Sequence, residues 1–556
     1  MTSRRQFLQQ GSETLLAAAL PAPLLIQGRA SRTFINLLRG PDAAWVHSTS
    51  GDQQLQRAGD ERLVGKGIEI RTIRVPGALR MELSAPAVGV TRIGMRWRMA
   101  DASTRLILGD AWERGYGDLE WRGFVPDRVM PWYFMAWDGT HTNGYGVRTG
   151  AAAMCYWQAD PRGVTLYVDV RSGGMPLQLG SRALAVCDVV CREGVPGQSP
   201  FAALHAFCKQ MCGNPRMPSQ PVYGSNDWYW AYGNNSAASV QADAERVAEL
   251  APTGGNRPFV VIDDGWQPGR GASKTGAGTW DRGNDKFPDM AAVAANVRRT
   301  GGRPGIWIRP LEAPSNASDS WRLSRDRSVL DPTVAGVREK VSADISRLRG
   351  WGMELIKHDY SSYDLFGRWG NQMGSALTRD GWAFAEGPKR TTAEIVNELY
   401  ATIRAAAADT LVIGCNTFSH LSAGAFEICR IGDDTSGREW ARTRKMGVNT
   451  LAFRGAQHDA FYAADPDCVG VTNDIPWRLN KEWLELVSRS GTMLFVSLAT
   501  DALGADQKRD LRAAFALAAR PQPLAQPGDW MRTTTPTAWS FANKSNAAYD
   551  WGIGED

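Results

Sequence analysis

Between about residues 31 and 215, apolar and polar positions alternate in short runs. LRMELSA, TRIGMRWRM, GVTLYVDV and ALAVCDVVC are examples, separated by turn-rich stretches such as WDGTHTNGYG. A period of two sends one set of side chains to a core and the other to solvent, so these runs predict strands. Helical spacing is scarce before PFAALHAFCKQM. The segment predicts a β-sandwich domain over 31–215.

From about residue 216, short and continuously apolar runs alternate with segments of helical period. The runs are VYGSNDWYW (222–230), FVVIDDGWQ (259–267), PGIWIRP (304–310), MELIKHDY (353–360), LVIGCNT (411–417), AFEICRIGDD (425–434), VNTLAFRG (448–455) and GTMLFVSL (491–498). Continuous apolar runs fit strands covered on both faces. In DPTVAGVREKVSADISRLRG, Asp331 is placed to cap a helix, Pro332 to start it and Gly350 to stop it. Val334, Val337, Val341, Ile345 and Leu348 form its apolar face. TTAEIVNEL offers a capping box, Thr391 with Glu394. Eight strand–helix repeats over 216–520 predict a (β/α)8 barrel. The rival, a doubly wound open sheet, lacks a Gly-rich dinucleotide turn. Residues 521–556 offer one or two strands, a short C-terminal β segment.

The first 30 residues stand apart. SRRQFLQ carries the twin arginine Arg4–Arg5, an apolar run follows from Leu15 to Ile26, and GRA ends at Ala30. This predicts a Tat-type signal peptide over 1–30 and a periplasmic or secreted protein. Its removal takes the net charge from +5 to about +3. A nearly neutral chain gives no electrostatic footprint for nucleic acid. No later run reaches the ~18 apolar residues of a membrane span. The eight cysteines include two C-x3-C pairs, and the six histidines form no H-E-x-x-H. Neither pattern is a metal site, and no metal or cofactor is expected. In an exported chain disulfides are open to some of the cysteines, and the sequence does not say which. The 22 tryptophans fit large cores, or a cleft where indole faces stack on sugar rings.

Charge at the strand ends changes this picture. The second run ends in Asp263 and Asp264, the fourth in Lys357-His358-Asp359, and the sixth in Arg430 followed by Asp433 and Asp434. In a (β/α)8 barrel such ends form the mouth where catalytic groups collect. Alternation puts Lys357 and Asp359 on one side of their strand, and Arg430 and Asp434 on one side of theirs if it stays regular. His358 then packs behind the strand. Asp359 and Asp434 face one pocket, as retaining glycoside hydrolysis requires of its nucleophile and its acid/base. Lys357 is placed to keep Asp359 ionised, and Arg430 has a permanent charge. Trp228, at the end of the first run, offers a stacking wall.

These motifs resemble those of the α-galactosidase and raffinose-synthase superfamily of retaining α-glycosidases, across about residues 40–520. The carriers are DDGWQ at 263–267, Trp280 with Asn284 and KFPDM at 286–290, Lys357-x-Asp359, and Arg430-x3-Asp434. The resemblance implies that Asp359 is the nucleophile and Asp434 the acid/base. It implies that Asp263 and Asp264 bind ring hydroxyls, typically O4 and O6 of galactose, and that Trp266 walls the pocket. Cys415 falls where the family often has a pocket-lining residue, with a small core residue as the alternative. Two departures touch the sugar site. WIRPLEA, with Arg309, replaces an acidic W-x-E-P-E segment, and His358 replaces a tryptophan. The expected activity is an exported α-glycoside hydrolase acting on oligosaccharides or other glycosides, with galactose as the leading glycone. A raffinose-synthase-like transglycosidase and a non-catalytic carbohydrate-binding protein are the alternatives.

Overall fold

Alternation in the first half produces extensive antiparallel pairing. The computed structural model describes residues 34–99, 104–269, 276–541 and 545–554, and the expected signal segment, 1–30, lies outside them. Thirteen strands between Ala43 and Arg192 pair antiparallel in one continuous order. Met130–Pro131 closes one end of that order, and Tyr133–Trp137 lies next to the other end. Only Trp132 separates them in the chain, and its left-handed backbone (φ 64°) turns the chain from one end to the other. The sheet therefore curls back on itself. Trp132 is wholly buried and stacks on His420 of the second half, with ring centroids 5.0 Å apart.

The second half supplies nine parallel segments: β1 (Tyr223–Asn226), β2 (Phe259–Ile262), β3 (Arg303–Ile308), β4 (Leu355–His358), β5 (Leu411–Gly414), β6 (Ile428–Arg430), β7 (Ala463–Asp465), β8 (Cys468–Val471) and β9 (Leu494–Leu498). Their order is β7-β6-β5-β4-β3-β2-β1-β9-β8. The two end segments, β7 and β8, follow one another in the chain with only Pro466 and Asp467 between them. Proline has no N–H for a ladder, and Asp467 is left-handed (φ 74°), so the strand direction breaks there.

Alternation sorts the parallel sheet into two faces. Phe259, Val261, Leu355, Ile413, Ile428, Ala463 and Phe495 pack together in one cluster. Val260, Ile262, Ile306, Ile356, Val412 and Cys429 belong to the other, larger core. Continuing the first file by two residues gives Asp263 after Val261, Lys357 and then Asp359 after Leu355, Cys415 after Ile413, and Arg430 after Ile428. The apolar file thus becomes ionic at its C-terminal end.

Three sequence expectations differ from the structure. Residues 448–455 are not a strand: Arg444–Val448 forms a π-type turn and Asn449–Arg454 an α-helix. All six helical residues are buried, so apolar spacing carried no period to separate helix from strand. The first run stops at Asn226, where Asn226 Oδ1 accepts the Trp228 N–H (3.0 Å) and Trp228–Ala231 turn helical. The helix expected from Asp331 begins at Ala335 instead. Asp331 is occupied with the N–H groups of Thr333 (2.9 Å) and Ala385 (2.7 Å). The Thr391–Glu394 capping box forms as expected. Three short strands, Gln526–Pro527, Ala538–Ser540 and Asn546–Ala548, form the C-terminal segment. All eight cysteines are free. No helix among the described residues is long and apolar enough to cross a membrane.

Candidate active site

The C-terminal ends of β2, β4 and β6 open into a cavity of about 350 Å³. Asp263, Asp264, Lys357, Asp359, Asp434 and Trp228 all line it. Lys357 is held by a carboxylate two strands away, beyond β3: its Nζ lies 2.7 Å from Asp263 Oδ2. Burial opposes the ammonium charge, but Asp263, Cys415 and Asp359 together outweigh it and lift Lys357 well above the ordinary lysine range. The lysine therefore pairs with Asp263 rather than with Asp359, the partner the alternation indicated. Asn226 Nδ2 donates to the same Asp263 oxygen (2.6 Å), and the Asp264 N–H donates to the other (2.8 Å). Beneath them Asp227 accepts the Asp263 N–H (2.8 Å). Burial, then the charges of Asp263 and Asp243, push the Asp227 carboxyl well above the carboxylate range.

Asp359 sits one residue past β4. Its Oδ2 accepts the Trp307 indole N–H (3.0 Å) and its Oδ1 the Tyr360 N–H (2.8 Å). Tyr360 is left-handed (φ 67°), a conformation a bulky residue adopts only under constraint from its surroundings. That sharp turn presents Asp359 to the cavity and brings the Tyr360 ring to its wall.

Asp434 lies four residues past Arg430, and Arg430 Nη2 reaches its Oδ1 at 3.1 Å. Arg430 is nearly fully buried and also pairs with Asp467 at the break between β7 and β8 (2.9 Å). Two further arginines approach. Arg114 contacts both Asp433 (2.7 Å) and Asp434 (3.3 Å), and Arg442 contacts Asp433 (2.9 Å). Burial opposes the Asp434 charge, but Arg114, Arg430, Lys357 and Arg442 together hold its carboxyl well below the ordinary range.

Several expected site residues lie off the cavity wall. Trp266 is fully buried and donates its indole N–H to the Trp307 carbonyl (2.9 Å). Its ring packs against Trp280 and Trp351, so it braces the wall without forming it. Arg309 is held by the buried carboxylate of Asp364 (2.6 Å) and lies over the Tyr360 ring at 4.5 Å, behind that wall. Cys415 is buried and accepts from Arg430 Nη1 (3.6 Å). His358 packs behind β4 between Tyr400 and Phe426, where burial drags its pKa down to about 3. Among the described residues no group of three or more His, Cys, Asp or Glu is arranged to hold a metal ion.

More than half of the cavity wall was not anticipated. Arg114 and Tyr116 come from the antiparallel half; Trp307, Tyr360, Trp369, Asn371, Gln372, Asp433 and Arg442 complete the lining. The stretch WERGYGD at 112–118 fits neither a strand nor a helix period, which is the one sequence signal it carries. Glu113 anchors it. This wholly buried carboxylate accepts from Asn416 Nδ2 (2.9 Å), the Gly370 N–H (2.7 Å), and the hydroxyls of Tyr116 and Ser362. It thereby ties the 112–116 segment to the 369–372 loop. Ser362 and Gly370 have further acceptors in Asn416 and the Tyr116 hydroxyl, so Glu113→Ala would leave chiefly the Asn416 amide and the Tyr116 hydroxyl buried without one, at about 1–3 kcal/mol each. A stability loss of about 3 kcal/mol or more is expected in urea unfolding. A loss below about 1 kcal/mol would show that other contacts hold the two loops.

No family model matches the chain. Among curated proteins, an α-galactosidase of Escherichia coli is 34% identical over 136 residues, which cover 24% of this chain and 18% of that protein. Among solved structures, the α-galactosidase TtGalA of Thermus thermophilus, in complex with p-nitrophenyl α-D-galactopyranoside, superposes with a TM-score of 0.60 at 15% identity, covering 91% of this chain and 99% of that one. A variant of the family GH36 α-galactosidase AgaA of Geobacillus stearothermophilus, in complex with raffinose, gives 0.56 at 14% identity, covering 91% and 80%. The chain shares the mixed α/β fold of these enzymes.

Proposed function

We propose that this chain is a retaining α-glycoside hydrolase acting on terminal α-galactosides. The observation that carries the reading is the convergence of Asp359 and Asp434 on one cavity that Asp263, Asp264 and Lys357 also line. In this reading the nine parallel segments are a (β/α)8 barrel whose seventh strand is broken at Pro466–Asp467, and the curled antiparallel sheet is the N-terminal β-sandwich. Asp263 and Asp264 accept hydrogen bonds from ring hydroxyls, and Lys357 donates one while neutralising Asp263. Asp359 attacks the anomeric carbon, and the Trp307 indole N–H orients it. Asp434 gives a proton to the leaving oxygen and then takes one from water. Raffinose and stachyose, bound in complexes of structurally similar α-galactosidases, name the substrate class to try.

The test is a screen of aryl α-glycosides (galactoside, N-acetylgalactosaminide, glucoside, arabinopyranoside) with proton NMR of the first product. Release of α-galactose before mutarotation is expected. Initial β-galactose would exclude retention, and no hydrolysis of any member would remove the function.

The twin arginine supports export. Arg4→Lys with Arg5→Lys is expected to keep the protein in the cytoplasm, and an unchanged periplasmic yield would rule out this route.

A further inference from the structure

The antiparallel half contributes a strand-like segment to the cavity. Gly115 donates its N–H to the Ile431 carbonyl, and its own carbonyl accepts the Asp433 N–H, both at 2.8 Å. Gly115 and Gly432 thus form a parallel bridge beside the residues that carry the carboxylates. Both glycines are required by the close approach: a Cβ at Gly432 would lie 2.3 Å from Thr450 Oγ1, and one at Gly115 2.8 Å from Thr450 Cγ2. The buried Arg454 locks the same junction, pairing with Asp110 (2.8 Å) and donating to the Ile431 carbonyl (3.0 Å). Arg114 is therefore aimed at Asp433 and Asp434 from a fixed backbone.

The Arg114 side chain is 8% exposed. Tyr116 and Trp369 present their rings to its guanidinium, 5.9 and 5.7 Å away, and its Nε has no partner. The guanidinium has two carboxylates to choose between, and the nearer, at 2.7 against 3.3 Å, is Asp433.

We infer that Arg114 and Asp433 form a positioning pair for Asp434: the guanidinium divides itself between the two carboxylates, and its share decides whether Asp434 carries a proton when a glycoside arrives. The inference rests on the reading of Asp434 as the acid/base. With Arg114 on Asp434 the carboxylate stays ionised and cannot protonate a leaving oxygen. With Arg114 drawn fully onto Asp433, one cation leaves and a proton can bind. The other charged or titratable neighbours of Asp434 are Arg430 with Asp467 behind it, Arg442, Lys357, and the phenols of Tyr229 and Tyr360.

The sign of each change follows. Removing the Arg114 charge raises the proton affinity of Asp434, and removing the Asp433 charge lowers it. Arg114→Gln is expected to move the alkaline limb of kcat/KM for an α-galactoside with a poor leaving group upward by about one pH unit or more. Asp433→Asn is expected to move it downward, and Arg114→Lys, which keeps the charge, to leave it near the wild-type position. A merely structural role would lower rates without moving the limb in opposite directions. If Arg114→Gln does not fold, the downward shift in Asp433→Asn still carries the test. Carboxyl titration by carbon-13 NMR of aspartate-labelled protein, with Asp434 assigned by its loss in Asp434→Asn, reads the same quantity without turnover. If no glycoside is cleaved, the function fails while this titration still decides the pair. An Asp434 midpoint unchanged in Arg114→Gln, or raised in Asp433→Asn, would overturn the inference.

Discussion

Asp359→Gly is expected to abolish turnover, with a loss of about 10⁴-fold or more. The carboxylate one residue beyond β4 is the group oriented by the Trp307 indole, and no other carboxylate is presented by that strand end. Without it the first displacement has no nucleophile. The glycine leaves a space the size of a carboxymethyl group, and azide is small enough to enter it. An aryl α-galactoside supplied with azide should therefore yield the β-galactosyl azide, formed by one inversion. Retention of substantial activity without azide would remove Asp359 from the mechanism.

Asp434→Gly is expected to separate substrates by their leaving groups. Where the aglycone departs as a stable anion, little protonation is needed and the first step survives. Where it is a sugar hydroxyl, as in raffinose, the loss should reach the upper part of the roughly 10²–10⁴-fold range of general acid catalysis. The second step lacks its base in both cases, and azide should rescue it with retention, as the α-galactosyl azide. Exchange of the two azide anomers between the variants would mean that the roles are reversed. Asp434 is held well below the carboxylate range by the surrounding cations. The fraction protonated falls as pH rises through its pKa, so first-step rates on poor leaving groups should fall from acid toward neutral pH, and those on good leaving groups much less.

The ionic strand ends were legible because they break a strong rule: apolar files do not end in charge without a reason. Alternation placed Lys357 and Asp359 on one face of their strand, and both line the cavity. It also put His358 behind β4. It paired Lys357 with the wrong carboxylate, because spacing along one strand says nothing of the other strands, and Asp263 extends β2, two strands away beyond β3. Trp266 looked like a wall residue because indoles do wall sugar sites, yet its single N–H is used on the Trp307 backbone. The 448–455 segment failed for another reason: a short element buried all round has no period to read. Arg114, Tyr116 and Glu113 were beyond reach, since their role depends on contacts with residues some 250 to 320 positions away.

The bridge between Gly115 and Gly432 bears on how such a chain can evolve. A recombination crossover between the two halves would separate the guanidinium of Arg114 from both of its carboxylates. It would also strip the parallel half of the Glu113 anchor under its 369–372 loop. Drift in the 110–116 stretch must be answered in 431–434, and the reverse. The parallel half therefore cannot be placed on a foreign antiparallel partner without losing these contacts.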